Sequence, residues 1–197
     1  MATWFTADLH FGHRNIIDYC DRPFTDVGEM NDALIQNWND TVADGDTVWI
    51  VGDFALGKIA ETLPIVGMLN GTKILVAGNH DRCWLGHGKR AEGWAERYIE
   101  AGFDHIVHRC THVAVGDRRV LVCHFPYRGD SHNQDRFVDA RPIDKGEWLL
   151  HGHVHERWMS NGRMINVGVD ATNFTPISEE TIASIISHGP EYDPMQP

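Results

Sequence analysis

Short apolar runs that break off at Asp, Asn or His recur along this chain. Residues 2–7 stop at Asp8-Leu9-His10, residues 47–51 at Gly52-Asp53, and residues 73–77 at Gly78-Asn79-His80-Asp81. Residues 120–123 stop at His124, and residues 147–150 at His151-Gly152-His153-Val154-His155. Each run has strand length and is too short to read as a helix. A chain of this kind builds sheets whose strands end on polar loops. In α/β folds the loops at strand carboxyl ends converge on one crevice, so five segments distant in sequence can meet there.

Helical patterns fill the spaces in the first half. Met30, Leu34, Ile35 and Trp38 recur at helical spacing within 29–43, and a third helix is expected over 89–101. Ile59, Leu63, Val66 and Leu69 give 58–69 the same character, with Pro64 weakening its middle. The second half is strand-rich: 105–109, 111–115 and 118–123, with Gly116-Asp117 as a hairpin turn. Asn161-Gly162 reads as a two-residue turn between 157–159 and 164–167. Residues 178–186 fit a strand or a short capped helix, and 126–146 a long surface loop of the kind that is usually functional or disordered. The expectation is one α/β domain over 1–197 with mixed sheets and outer helices, its end at 189–197 a frayed tail. Trp4, Trp38, Trp49 and Trp148 lie within these elements and read as core.

Composition excludes some functions. No apolar stretch approaches the roughly 20 residues that span a bilayer, and the first residues lack a basic segment followed by an apolar one. Cys20, Cys83, Cys110 and Cys123 form no C-x-x-C pair, and the expectation is four reduced thiols in a cytoplasmic protein. A net charge of −11 argues against a broad surface for duplex DNA, though not against a phosphorylated small molecule or nucleotide near bound cations.

Histidine is the conspicuous residue: 13, against 17 Lys plus Arg. Imidazoles and carboxylates together suit divalent transition metals. Residues 8 and 10, or 153 and 155, share a side in locally extended backbone, and Gly52, Gly78 and Gly152 allow tight turns beside them. His13, Arg14 and Asn15 follow the first cluster and suit either substrate phosphate or helix capping. Arg82, Tyr127 and Arg128 are weaker substrate candidates. His151 is expected behind the ligands, and His87, His105, His108, His112, His132 and His188 at the surface or in packing.

Taken in order, Asp8-x-His10, Gly52-Asp53, Gly78-Asn79-His80-Asp81, His124 and Gly152-His153-x-His155 resemble the five motifs of the calcineurin-like metallophosphoesterases. The stretch from Asp8 to Ile16 looks like a narrower group of small bacterial and phage phosphoesterases in that superfamily. The resemblance implies a double β-sheet sandwich flanked by helices. It implies a first metal on Asp8, His10 and His155, a second on Asn79, His124 and His153, and Asp53 bridging. His80 would face substrate as transition-state stabiliser and general acid, oriented by Asp81; Asn79 and, by their position alone, His13 and Arg14 are the substrate-binding candidates. The implied cofactors are two divalent ions, Mn²⁺ first, with Fe, Co²⁺, Zn²⁺ or Mg²⁺ as alternatives. The implied reaction is attack of metal-activated hydroxide on phosphorus. A phosphodiester is the expected substrate, a 2′,3′-cyclic nucleotide among them. The alternatives are a phosphomonoesterase or phosphoprotein phosphatase, a nuclease on short or single-stranded nucleic acid, and a non-catalytic scaffold of the same fold.

Overall fold

A computed structural model describes residues 1–191, so most of the expected tail, residues 192–197, lies outside the described residues. The strands are β1 (Thr3–Thr6), β2 (Thr47–Ile50), β3 (Thr72–Val76), β4 (His105–Val107), β5 (Thr111–Val115), β6 (Arg118–Val122), β7 (Leu149–His151), β8 (Ser160–Asn161), β9 (Met164–Asn166) and β10 (Ile177–Ser178). They form two five-stranded sheets, ordered β10-β1-β2-β3-β4 and β5-β6-β7-β9-β8. In the first sheet β1 to β4 run parallel and β10 antiparallel. In the second, β6, β7 and β9 run parallel between antiparallel edge strands.

Alternation along the strands decides where each face goes. Phe5, Val51, Val76, Val120, Val122, Leu150, Ile165 and Val167 form one fully buried cluster that joins residues of both sheets. Helix α5 (Glu179–His188) adds Ile182, Ile185 and Ile186 to that cluster. A larger cluster joins Ile50 and Leu75 to α1 (Arg14–Tyr19) through Ile16 and Ile17, to α2 (Val27–Thr41) through Met30, Leu34 and Trp38, and to α4 (Trp94–Ala101) through Tyr98. The double-sheet sandwich flanked by helices is thus present. Trp38 and Trp148 are buried, and Trp4 and Trp49 pack partly buried against the core. Among the described residues no helix is long and apolar enough to cross a membrane.

Several local expectations are corrected. The helix over 58–69 shortens to α3 (Ile59–Thr62) followed by a 3-10 stretch from Leu63 to Met68. Pro64 denies the α-helix a backbone donor at its second turn. The helix over 89–101 begins only at Trp94, because Gly93 takes a left-handed conformation just before it. The second hairpin turns at Gly162-Arg163, one residue later than expected, since Asn161 pairs with Met164. Residues 178–186 resolve into β10 and then α5, whose first turn is capped by Ser178 Oγ. Cys110 and Cys123 are joined by a disulfide, so four reduced thiols is wrong; among the described residues Cys20 and Cys83 are free. The pair flanks the β5–β6 hairpin, where the register Thr111 to Val122 places the next residues opposite each other, their Cα atoms 4.4 Å apart.

Candidate metal centre

The ligand-type residues do not sit on extended backbone. Asp8, His10, Asp53, His153 and His155 all have left-handed φ, between 52° and 72°. That conformation is unfavourable for residues with a Cβ and persists only where surrounding contacts enforce it. Here the enforcement is visible. Asp8 N–H donates to the Gly52 carbonyl and His10 N–H to the Asp53 carbonyl, each at 3.0 Å. Arg22, buried, donates to the carbonyls of Asp8 (2.8 Å) and Leu9 (3.1 Å) while gripping Asp170 through two nitrogens. Asn166 donates to the His155 carbonyl at 2.7 Å. The expected extended backbone at 8–10 and 153–155 is therefore replaced by kinks held from outside.

Two glycines serve by close approach rather than by turning. A Cβ on Gly78 would collide with Asp53, and one on Gly152 would sit 2.7 Å from Asp8 Oδ2. Both loops come this near because they are laced to those carboxylates: His80 N–H donates to Asp53 Oδ1 at 2.8 Å, and His153 N–H to Asp8 Oδ2 at 2.9 Å.

The side chains converge. Asp53 Oδ2 lies 3.4, 3.8 and 4.0 Å from Nε2 of His124, His10 and His80. His10 Nε2 is 3.3 Å from His155 Nε2 and 4.0 Å from Asp8 Oδ1. Asn79 Oδ1 is 3.2 Å from His124 Nε2. Two groups, Asp8–His10–His155 and Asp8–Asp53–His124, have their ligand atoms within 4.8 Å of one another, and Asp8 is common to both. His124 donates its Nδ1 hydrogen to the Val51 carbonyl (2.9 Å), which orients the ring so that Nε2 faces Asp53. His153 packs its ring 5.3 Å from His124, but its Nε2 faces Asp130, leaving Nδ1 as its remaining ligand atom.

Burial sets the electrostatics. It pushes the Asp8 carboxyl up to about 8, against the pull of His124. It works to raise Asp53 too, yet His124 and then His80 and His10 outweigh it and hold Asp53 well below the usual range. It lowers His10 well below the ordinary imidazole value, His155 to about 4 and His153 to about 3. His124 alone goes up, to about 9, because Asp53 and Asp8 overcome its burial. Asp8 Oδ1 is buried with no hydrogen-bond partner. A buried carboxylate oxygen left bare among imidazoles and other carboxylates fits a divalent cation.

The remaining candidates divide. His80 stands at the rim with its side chain 40% exposed, 5.4 Å ring to ring from His10. The Asp81 carboxylate accepts the backbone N–H groups of Asp53, Phe54 and Gly78. Those bonds splice the 53 and 78 loops together, the second of which carries His80. His13 is half-buried with its ring 5.4 Å from that of His10. Arg14 is exposed, paired with Asp18 one helical turn along. His151 is fully buried behind the site and donates from Nδ1 to the Gly152 carbonyl at 2.7 Å. Tyr127 is tied to the Glu147 carbonyl, and Arg82 and Arg128 are exposed.

Three positioning residues escape sequence reasoning: Arg22, Asn166 and Asp130. Asp130 is buried inside the segment expected to be a surface loop. It accepts from His153 Nε2 (2.9 Å), from Arg136 through Nε (3.0 Å) and Nη2 (2.8 Å), and from Arg141 Nη2 (3.2 Å). None of the three belongs to a motif. Arg22 reaches Asp170, 148 residues on, and Asp130 reaches His153, 23 residues on.

No family model matches the chain. Among curated proteins it is similar to the uncharacterized protein MJ1445 of Methanocaldococcus jannaschii, 31% identical over 195 residues, covering 94% of this chain and 92% of the relative. It is also similar to the Gene 66 protein of Mycobacterium phage L5, 32% identical over 203 residues and covering 94% of each. Among solved structures, the protein of unknown function AQ665 from Aquifex aeolicus has a TM-score of 0.71 at 27% identity, covering 94% of this chain and 99% of that one.

Proposed function

The chain belongs to one family with MJ1445 and the mycobacteriophage Gene 66 protein, and we propose that it is a metal-dependent phosphoesterase acting on phosphodiesters. The observation that carries this reading is the paired ligand cluster around Asp8 and Asp53, with an exposed imidazole, His80, beside it. Asp8, His10 and His155 would hold one divalent ion, and Asn79, His124 and His153 a second, with Asp53 between them; Asp8, common to both ligand groups, shares that position. Mn²⁺ suits the imidazole and carboxylate set, as do Fe, Co²⁺ and Zn²⁺, with Mg²⁺ less so. Ions bound there would supply Lewis acidity toward a phosphoryl oxygen and a water of lowered pKa.

The chain's own residues do the rest. His80 is anchored through its backbone N–H to Asp53, and its partly exposed ring lies with Nε2 4.0 Å from Asp53 Oδ2. From there it can stabilise charge on the phosphoryl oxygens and give a proton to the departing oxygen. His13, beside His10, is placed to meet substrate on the same rim. Arg14 reaches a phosphate only by leaving Asp18, an exposed pair of small strength. The exposure of His80 leaves room for an ester with groups on both sides of phosphorus, which favours a diester, cyclic nucleotides included.

Purified protein reconstituted with Mn²⁺ should cleave bis(p-nitrophenyl) phosphate faster than p-nitrophenyl phosphate. The reverse order would move the assignment to phosphomonoesters. Inactivity toward both, and toward a panel of cyclic phosphates, would point to a non-catalytic scaffold.

A further inference from the structure

Beside the ligand cluster lies a cavity of about 600 Å³ that no step of the proposed chemistry uses. It shares one wall with the centre, because His124 lines both. Three aromatic rings shape it. Trp84 lies 5.6 Å from Phe125 and 5.6 Å from Phe137, and Phe125 lies 5.4 Å from Phe137, all between ring centroids. The Cys110–Cys123 disulfide also lines it, and Arg109, an exposed cation, borders it.

The volume falls within the range of small-molecule sites, which are mostly apolar with few polar groups. Phe137 is held at φ 54°, left-handed for a bulky residue. Strain of that kind clusters where a loop is set to clamp a ligand. The loop is braced by Arg141, which also lines the cavity: it donates to the Arg136 and Gly129 carbonyls and pairs with Asp130, which also holds His153. The loop that carries Phe137 is therefore tied to His153 through Asp130.

We propose that this cavity is a base-binding subsite, in which the planar heteroaromatic base of a nucleotide ester packs against Trp84, Phe125 and Phe137 while its phosphate lies at the ligand cluster beyond His124. Aromatic side chains accept any base through its π-face, and Arg109 adds a cation for the base edge or the ribose oxygens. The proposal rests on the phosphoesterase reading for the position of the phosphate, but not for binding of the base.

Two measurements separate the two readings. The first is binding of adenosine, which has no phosphate, to metal-free wild type, Trp84→Leu, Phe137→Ala and Arg109→Ala by calorimetry. Binding by the wild type that weakens about tenfold or more in either aromatic variant, the size expected for loss of one stacking partner, supports the subsite; no binding by the wild type overturns it. Arg109 is exposed, so its variant folds and reports on the rim alone. The second compares adenosine 2′,3′-cyclic phosphate with glycerol 1,2-cyclic phosphate under Mn²⁺. The ratio of their kcat/KM values should favour the adenosine ester and fall about tenfold in Phe137→Ala. Equal rates on both esters, with the ratio unmoved by the variant, would overturn the subsite and leave the phosphoesterase intact. Adenosine binding with neither ester cleaved would leave the subsite and sink the hydrolase.

Discussion

His153 Nε2 lies 2.9 Å from Oδ2 of Asp130, a carboxylate fully buried and held in turn by Arg136 and Arg141. An imidazole so engaged has its orientation set and its other nitrogen made more basic. Asp130→Asn keeps the size but removes the charge, and should weaken metal binding by about 10- to 100-fold. Competition against a chelator of known affinity measures this directly. Unchanged affinity in a folded variant would remove Asp130 from the centre.

Asp53 and His80 should part company when each is removed. Asp53→Ala is expected to lower both metal content and rate. His80→Ala should leave the metal content intact while slowing turnover by roughly 10²–10⁴-fold, the range of general acid catalysis. Elemental analysis of the two purified variants beside their rates tests the division. A metal-poor His80→Ala protein would place His80 among the ligands.

Arg22 and Asp170 pair deep in the protein, their side chains 0% and 2% exposed. Arg22→Met strands the Asp170 charge and frees the carbonyls of Asp8 and Leu9, a loss of about 3–5 kcal/mol. Chemical denaturation gives the figure. Removing Asp170 as well should restore part of it, because the stranded charge goes too.

Stability of the metal-free protein should fall as pH rises above about 6.5. Asp8 and Asp81, pushed by burial up to about 8 and about 7, hold protons in the folded state that the unfolded chain loses near its ordinary value of 3.8. His124, raised to about 9 by Asp53 and Asp8 despite its burial, keeps a proton that the unfolded chain loses near 6.5. The folded state therefore binds more protons across this window, and stability declines with pH until about 9. Cations in place of the protons on Asp8 and His124 reverse the trend, since they need deprotonated ligands. Thermal melts at about pH 6.5 and about 8.5, in EDTA and in Mn²⁺, should diverge. A metal-free melting temperature that climbs over the interval would contradict the burial of these groups.

What the sequence disclosed follows from how local each feature is. The ends of β1, β2, β3, β6 and β7 were legible because an apolar run stopping at a polar residue is a local pattern. The left-handed backbone at Asp8, His10, Asp53, His153 and His155 was not, because it is imposed by Arg22, Asn166 and neighbouring loops rather than by residue type. Asp130 was hidden for the same reason: it lies in a polar segment, and its meaning comes from His153, 23 residues on. Helix α1 has only six residues, too few to show a period. The disulfide was within reach. Cys110 and Cys123 stand at equal distances from the Gly116-Asp117 turn, so the hairpin alone sets them opposite each other.

The order of the first sheet has a consequence for synthesis. Strand β1, which leads into Asp8 and His10, is flanked by β2 on one side and by β10 on the other. Ser178 and Ile177 are translated long after Trp4 and Phe5, so one edge of β1 waits with unpaired amides and carbonyls while nearly all the other strands emerge. An open edge invites pairing with other chains. A nascent or truncated polypeptide lacking β10 and α5 would carry an adhesive seam beside the strained loop of Asp8 and His10.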